Sequence, residues 1–93
     1  MIALLTLHLN LPACSSLKEK RGRLKPLLHR LHRQFNLSVA EVDLQDQWQQ
    51  ARVACSMVGN DRPHLERSMQ TVVRWVERNW NDGVLLNETL EII

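Results

Sequence analysis

The sequence predicts a single α+β domain whose elements follow one another in the order βαββαβ. Its length of 93 residues leaves room for only one hydrophobic core. Four stretches alternate apolar and polar residues with the period of two that is typical of a half-buried strand. Two further stretches repeat apolar residues every three or four positions, which indicates amphipathic helices.

The first strand and the first helix have clear boundary signals. Alternating leucines predict a strand from Ile2 to Leu11, and Pro12 ends it. Ser16 and Glu19 have the spacing of a capping box, which predicts the start of a helix, and Asn36 ends that helix. The residues predicted to face the core are Leu17, Leu24, Leu27, Leu28, Leu31 and Phe35.

Two residues inside the first helix disturb its regularity. Pro26 cannot donate a hydrogen bond to the carbonyl of Gly22, four residues earlier, and its ring crowds that carbonyl. Leucines on both sides still require one common core face. We therefore expect one helix that is bent or locally irregular between Gly22 and Pro26, rather than two helices.

A hairpin follows the first helix. Leu37 to Val42 is apolar and rich in β-branched residues, and Trp48 to Val58 alternates, so both are predicted to be strands. The short polar segment between them favours a direct antiparallel connection.

The second helix and the last strand complete the order. Asn60 or Asp61 is the predicted N-cap, and Pro63 is tolerated in the first turn. Asn81 to Gly83 predicts a turn, after which Val84 to Ile93 alternates again. The apolar stripe of the helix consists of Leu65, Met69, Val72, Val73, Val76 and Trp80, and one face of the strand should carry Val84, Leu86, Leu90 and Ile92.

These elements fit a ferredoxin-like fold over residues 1–93, in which two helices cover one face of a four-stranded antiparallel sheet. Right-handed crossovers place the first and third strands at the centre of that sheet.

The first helix is strongly basic. Between residues 16 and 34, seven Lys or Arg residues accompany one Glu, for a charge of +6, while the rest of the chain carries −4. Phosphate groups would offset the repulsion among these cations. The candidate RNA-binding residues are Lys18, Lys20, Arg21, Lys25, His29 and Arg33. The alternatives are a solvated surface, or ion pairs with Glu41, Asp43 and Asp46 of the same or another chain.

The open face of the predicted sheet does not favour base-specific recognition. Its residues should be Thr6, His8 and Asn10 of the first strand with Trp48, Gln50, Arg52 and Ser56 of the third. Aromatic side chains are missing from the middle of both strands, where an RNA-recognition sheet stacks bases. We expect Trp48 to pack at the hairpin or at a subunit contact, and Trp75 to be partly exposed and available to an interface.

The sequence provides little support for catalysis or for a metal site. Glu41, Asp43 and Asp46 are better explained as residues that cap a turn than as cation ligands. The two histidines of the basic helix, His29 and His32, lie among cations, which disfavour a metal ion. Cys14, at a helix start, could be an activated thiol, but no base is identifiable for it. We therefore expect a non-enzyme without a metal or cofactor.

The cellular location is predicted to be cytoplasmic. Leu11 to Cys14 resembles a lipoprotein cleavage box, but no basic residue precedes it and polar residues interrupt the apolar stretch. We expect Met1 or Ile2 to begin the mature chain. No segment has the apolar length of a membrane-spanning helix, and the two cysteines are expected to be reduced.

Two segments carry a resemblance to a known family. They are Leu11-Pro12 with Ser16 to Arg21, and Phe35 to Asp43 continuing to Asp46, Trp48 and Gln49. Together they resemble the YlxP-like family of small bacterial proteins of unknown function. The resemblance implies a ferredoxin-like fold and no established activity. Members are often encoded beside ribosome-maturation and translation-initiation genes, which suggests a connection with RNA or the ribosome. This sequence departs from the family pattern at Gly22 and Pro26.

The sequence thus favours a small non-enzymatic protein that binds RNA or the ribosome through its basic first helix. The alternative is a protein-interaction or homo-oligomerisation module. Steeply salt-dependent binding to RNA distinguishes the first class from the second.

Overall fold

The computed structural model describes residues 1–93 and has the element order that the sequence predicts. The elements are β1 (Ile2–Asn10), α1 (Leu17–Gln34), β2 (Ser38–Asp43), β3 (Gln50–Val58), α2 (Arg62–Asn79) and β4 (Val84–Ile92). The strands form one antiparallel sheet in the order β2-β3-β1-β4, so β1 and β3 are central. The ferredoxin-like α+β fold is therefore confirmed.

The core lies between one face of the sheet and the two helices. Ala3, Leu5, Leu7 and Leu9 of β1 are at most 1% exposed, while the residues between them remain partly exposed. The partners of these residues in the core include Ala51, Val53 and Cys55 of β3, Leu24, Leu27 and Leu31 of α1, and Leu65, Met69, Val72 and Val76 of α2. The predicted leucine face of α1 is thus the face that packs on the sheet.

Both cysteines are free thiols within this core. Burial raises the pKa of the Cys55 thiol from 9.0 to about 12, because a thiolate in this apolar environment would lose its hydration. Cys14 is only 1% exposed, and its thiol lies 3.5 Å from the Ser16 carbonyl oxygen. The structure therefore does not present Cys14 to solvent as a nucleophile would require.

Helix α1 begins at the predicted cap. The Ser16 hydroxyl accepts a hydrogen bond from the Glu19 amide at 3.0 Å, and the Glu19 carboxylate accepts one from the Ser15 amide at 3.1 Å. The helix then continues through Gly22 and Pro26 as one element to Gln34. A local bend at Pro26 remains a prediction.

The face assignment predicted for the last strand is wrong at its beginning. The pairing of β1 with β4 shifts between His8, which pairs with Asn87, and Leu9, which pairs with Leu85. Leu86 is therefore the extra residue of a β-bulge, and a bulge reverses the alternation of side chains. Leu90 and Ile92 pair with the buried Leu5 and Ala3, whereas Val84 pairs with Asn10 on the open face and Val84 and Leu86 are about half exposed.

The connection between β2 and β3 is longer than predicted, because β3 begins at Gln50 rather than at Trp48. Leu44 has a left-handed backbone conformation with φ of 62°, which is unusual for a residue other than glycine. The Asp43 carboxylate accepts a hydrogen bond from the Leu44 amide at 2.8 Å. Asp43 therefore caps this turn, as expected.

Neither helix of the protein is long and apolar enough to cross a membrane.

Candidate nucleic-acid interface

The seven Lys and Arg residues of α1 fall into two sets according to their contacts. Three of them contact other parts of the fold, and these are Lys20, Arg23 and Arg30. The other four are exposed and form no ion pair, and these are Lys18, Arg21, Lys25 and Arg33. In the first set, Lys20 and Arg23 lie near carboxylates, while Arg30 is exposed and contacts an aromatic ring. The second set presents positive charge with neither kind of partner.

The assignment of Lys20 to the RNA-binding surface is wrong. Its side chain is buried, and its ammonium nitrogen lies 2.8 Å from a Glu41 carboxylate oxygen and 2.8 Å from the Leu44 carbonyl oxygen. Lys20 precedes Leu24 by four residues, and it therefore projects from the same helical face as the leucines. The spacing to Leu24 was present in the sequence and would have revealed this.

Lys20 connects α1 to the hairpin formed by β2 and β3. Glu41 pairs with Val53 in the sheet, and Val53 is a core residue, so the Glu41 side chain lies on the core side of β2. The ion pair therefore lies between the helix and an edge strand, where Glu41 is 22% exposed. The predicted alternative of intramolecular ion pairing is realised by this one residue of α1.

Arg23 and Arg30 have structural contacts as well. The Arg23 guanidinium donates hydrogen bonds to the carbonyl oxygens of Pro12, at 3.0 Å, and Asp82, and thus joins two loops. The Arg30 guanidinium lies 4.8 Å from the ring centroid of Trp75, which is a cation–π contact.

The remaining four cations and His29 form one row on the solvent side of α1, and we name this row the cation stripe. It consists of Lys18, Arg21, Lys25, His29 and Arg33, all of which are exposed. At 1.5 Å per residue this row is about 22 Å long. His32 is also exposed, and its Nδ1 lies 2.9 Å from the Leu37 carbonyl oxygen.

A shallow groove crosses the middle of the cation stripe. It is lined by Gly22, Lys25, Pro26, Leu28 and His29. Apart from its chain neighbours and the adjoining helix backbone, no atom lies within 4 Å of a methyl group added to Gly22, so packing does not require glycine there. The groove therefore combines a small apolar floor with the ammonium group of Lys25 and the imidazole of His29 on its borders.

The open face of the sheet is polar, as expected. His8 pairs with Arg52 across β1 and β3, and its Nε2 lies 2.9 Å from the Gln50 amide oxygen. Trp48 lies outside β3 in the connecting loop. The middle of this face therefore offers no aromatic platform for stacking bases.

Two of the acidic residues of the hairpin are engaged within the fold. Glu41 pairs with Lys20, and Asp43 caps Leu44 and lies 4.0 Å from the Arg52 guanidinium. No three His, Cys, Asp or Glu side chains of the chain are placed to hold a metal ion together.

The two candidate interface tryptophans have different environments. Trp48 is 51% exposed at the surface of the hairpin loop. Trp75 is partly exposed, but its ring stacks edge-to-face on Phe35 at a centroid distance of 5.9 Å and an interplanar angle of 89°. Trp75 thus contributes to the packing of α1 against α2, whereas Trp48 has no comparable aromatic partner.

The chain is thus a small ferredoxin-like protein whose first helix has a basic exposed face. Residues 2–89 match the model of the family described as "Protein of unknown function (DUF503)", and the chain belongs to this family. It is 37% identical over 62 residues to the "Uncharacterized protein YlxP" of Bacillus subtilis (strain 168), with 67% of each chain covered.

Among solved structures, the chain is similar to the "De novo designed protein Ferredog-Diesel". The TM-score is 0.47 at 12% sequence identity, over 99% of this chain and 85% of the designed one.

Proposed function

We propose that this protein is a non-enzymatic cytoplasmic RNA- or ribosome-binding module that contacts phosphate groups through the cation stripe of α1. One observation carries the proposal. Lys18, Arg21, Lys25 and Arg33 are exposed on one helix and none of them has a carboxylate partner.

The charge distribution supports a polyanionic ligand. Like charges three or four residues apart destabilise a helix by a few tenths of a kcal/mol per pair. Within α1, the single carboxylate of Glu19 lies nearest to Arg23, at 3.6 Å, rather than to the cation stripe. Phosphates along a nucleic-acid backbone would supply the missing negative charge over the full length of the stripe.

The same geometry favours recognition of the backbone rather than of the base sequence. Cations in a row contact phosphates without reading base edges. The open sheet face lacks stacking aromatics, so it adds no base readout of its own.

Binding of a single-stranded RNA to the parent protein and to two charge-reversal variants tests the proposal. The first variant is K18E/R21E/K25E on the cation stripe, and the matched control is R67E/R74E/R78E on the exposed side of α2. Both variants change the net charge by the same amount, so only the position of the charge differs. Circular dichroism confirms that each variant is folded.

We expect the stripe variant to lose RNA binding and the control to retain most of it. With three phosphates engaged, log affinity of the parent protein should fall with log salt concentration at a slope of roughly −2. Equal losses in both variants would attribute binding to net charge alone. Unchanged binding by the stripe variant would show that the stripe is only a solvated face.

The second candidate is a protein-interaction or homo-oligomerisation module. The observation that favours it is the half-exposed Trp48 on the hairpin loop. A W48S variant would then weaken self-association or partner binding, measured by analytical ultracentrifugation, with little dependence on salt.

A further inference from the structure

The spacing of Gly22 and Pro26 leaves one backbone acceptor of α1 without its helical donor. In an α-helix the carbonyl of residue i accepts a hydrogen bond from the amide of residue i+4. Pro26 has no amide hydrogen, so it cannot donate to the Gly22 carbonyl. No side chain of the protein donates to this carbonyl either.

Gly22, the residue that carries this acceptor, lines the groove at the middle of the cation stripe. Gly22 and Pro26 are both exposed, and the absence of a side chain at Gly22 opens the surface there. Lys25 and His29 border the groove along the helix. A ligand whose phosphates lie on the stripe would therefore pass directly over the groove.

The chemistry of a nucleic-acid backbone identifies the group that fits. Phosphate and sugar-ring oxygens only accept hydrogen bonds and cannot satisfy a carbonyl. The 2′-hydroxyl is the one donor on the backbone of RNA, and DNA lacks it. We propose that the groove takes a ribose of single-stranded RNA, whose 2′-hydroxyl donates to the Gly22 carbonyl. This inference rests on the proposed function, and it adds that the site selects ribose over deoxyribose.

The probe is a uridine oligonucleotide of about ten residues, a length within the range of single-strand binding sites. It is compared with the deoxyuridine and 2′-O-methyluridine oligonucleotides of the same length. The base is identical in all three, and the last one keeps the 2′-oxygen but removes its hydrogen. We expect the uridine strand to bind the parent protein roughly fivefold more tightly than the other two, as one neutral hydrogen bond allows.

Two substitutions test the role of the carbonyl. P26A supplies the missing amide, so the Gly22 carbonyl becomes paired within the helix, and the preference for uridine should fall to about onefold. Its matched control is P63A, which adds an amide in the first turn of α2, where helical amides have no partner. G22A places a methyl group at the groove without meeting any atom of the fold, and it should also reduce the preference.

The outcomes separate this inference from the proposed function. Equal affinity of the parent protein for all three oligonucleotides, with a steep salt slope, would overturn the ribose site and leave the phosphate-binding stripe intact. A preference that persists in P26A would also overturn it. Absence of salt-dependent binding to any of the three oligonucleotides would overturn both proposals together. A preference lost in P26A and G22A but kept in P63A, with the salt slope unchanged, would establish the ribose site.

Discussion

Lys18 and Lys20 are the same residue type, two positions apart on the same helix, and their environments are opposite. Lys18 is exposed and unpaired, while Lys20 is 1% exposed and is held by Glu41 and the Leu44 carbonyl. Two residues correspond to about 200° around a helix axis, which carries a side chain from the solvent side to the core side. Arg21 and Arg23 show a smaller contrast, because Arg21 is exposed whereas Arg23 is partly exposed and donates to two loop carbonyls.

The comparison shows that the net charge of a helical segment does not predict how many of its cations are available to a ligand. Seven Lys and Arg residues and one Glu give the segment its +6 charge, yet only four of the cations are exposed with neither an ion pair nor an aromatic contact. The other three stabilise contacts between α1 and the remainder of the fold. Position relative to the leucine face decides which cations can meet a ligand.

The largest effect expected from this division is on stability at Lys20. K20M leaves the Glu41 carboxylate without its cation at a site that is only 22% exposed. The free energy of unfolding should fall by about 3 kcal/mol, at the low end of the cost of breaking a buried ion pair because Glu41 retains some solvent contact. Urea denaturation measures the change.

The control for this prediction is K18M on the solvent face, which should change the free energy of unfolding by less than about 0.5 kcal/mol. The double variant K20M/E41L removes both charges and should recover part of the loss, because two apolar side chains at such a site need no partner. If K20M and K18M were equally stable, the distinction between the two sets of cations would fail.

Lys20 also illustrates how far a sequence can predict a site. The pattern of leucines located the buried face of α1 correctly, and Lys20 falls on that face by spacing alone. What spacing could not supply was its partner, because Glu41 reaches Lys20 only through the tertiary placement of β2 beneath α1. The contacts of Arg23 with Pro12 and Asp82 are non-local in the same sense.

A smaller loss of stability is expected at Arg23. R23A removes two hydrogen bonds from a guanidinium to loop carbonyls, at a side chain that is 22% exposed. The free energy of unfolding should fall by about 1.5 kcal/mol, near the lower value for bonds to charged groups. R21A, on the cation stripe, should be nearly neutral in stability and should instead weaken RNA binding. A larger effect of R21A on stability would contradict the assignment.

The effect at Arg30 should be smaller again. Its guanidinium lies over the Trp75 ring at 4.8 Å, and an exposed cation–π contact contributes about 0.5 to 1 kcal/mol. R30A should therefore lower the free energy of unfolding by about that amount, measured by thermal or urea denaturation. R33A is the matched control and should leave stability unchanged within error. Loss of stability in R33A but not in R30A would reverse the two assignments.

The fold was more predictable than the site because its signals are local. Periodicity gave the order of all six elements, and the leucines of β1 and α1 gave the core. The bulge at Leu86 escaped prediction, since a one-residue insertion in β4 is defined only by its pairing with β1. Val84, Leu85 and Leu86 are three consecutive apolar residues, so the sequence does not show which of them leaves the alternation.

The smallest expected effect concerns Glu19, the one carboxylate of the basic segment, and its dependence on pH. The pKa of Glu19 is lowered from 4.5. The largest cause is a hydrogen bond with the Cys14 thiol, followed by the hydrogen bond from the Ser15 amide and by the positive charge of Arg23. The folded state therefore binds fewer protons here than the unfolded state near pH 4.5, so the stabilisation is complete above that pH. It is lost as the pH falls through the lower pKa of the folded state.

E19Q removes this titration and should flatten the acid side of the stability profile. The parent protein should be the more stable of the two above pH 4.5, and the difference should shrink on acidification below it. Because Glu19 accepts from Ser15 and lies near Arg23, it has a structural role rather than one on the cation stripe. E19Q at neutral pH should therefore leave the salt slope of RNA binding unchanged, since that slope counts phosphates engaged by the stripe. A changed slope would instead show that Glu19 restrains the stripe, and the division between the two sets of cations would need to be redrawn at the start of α1.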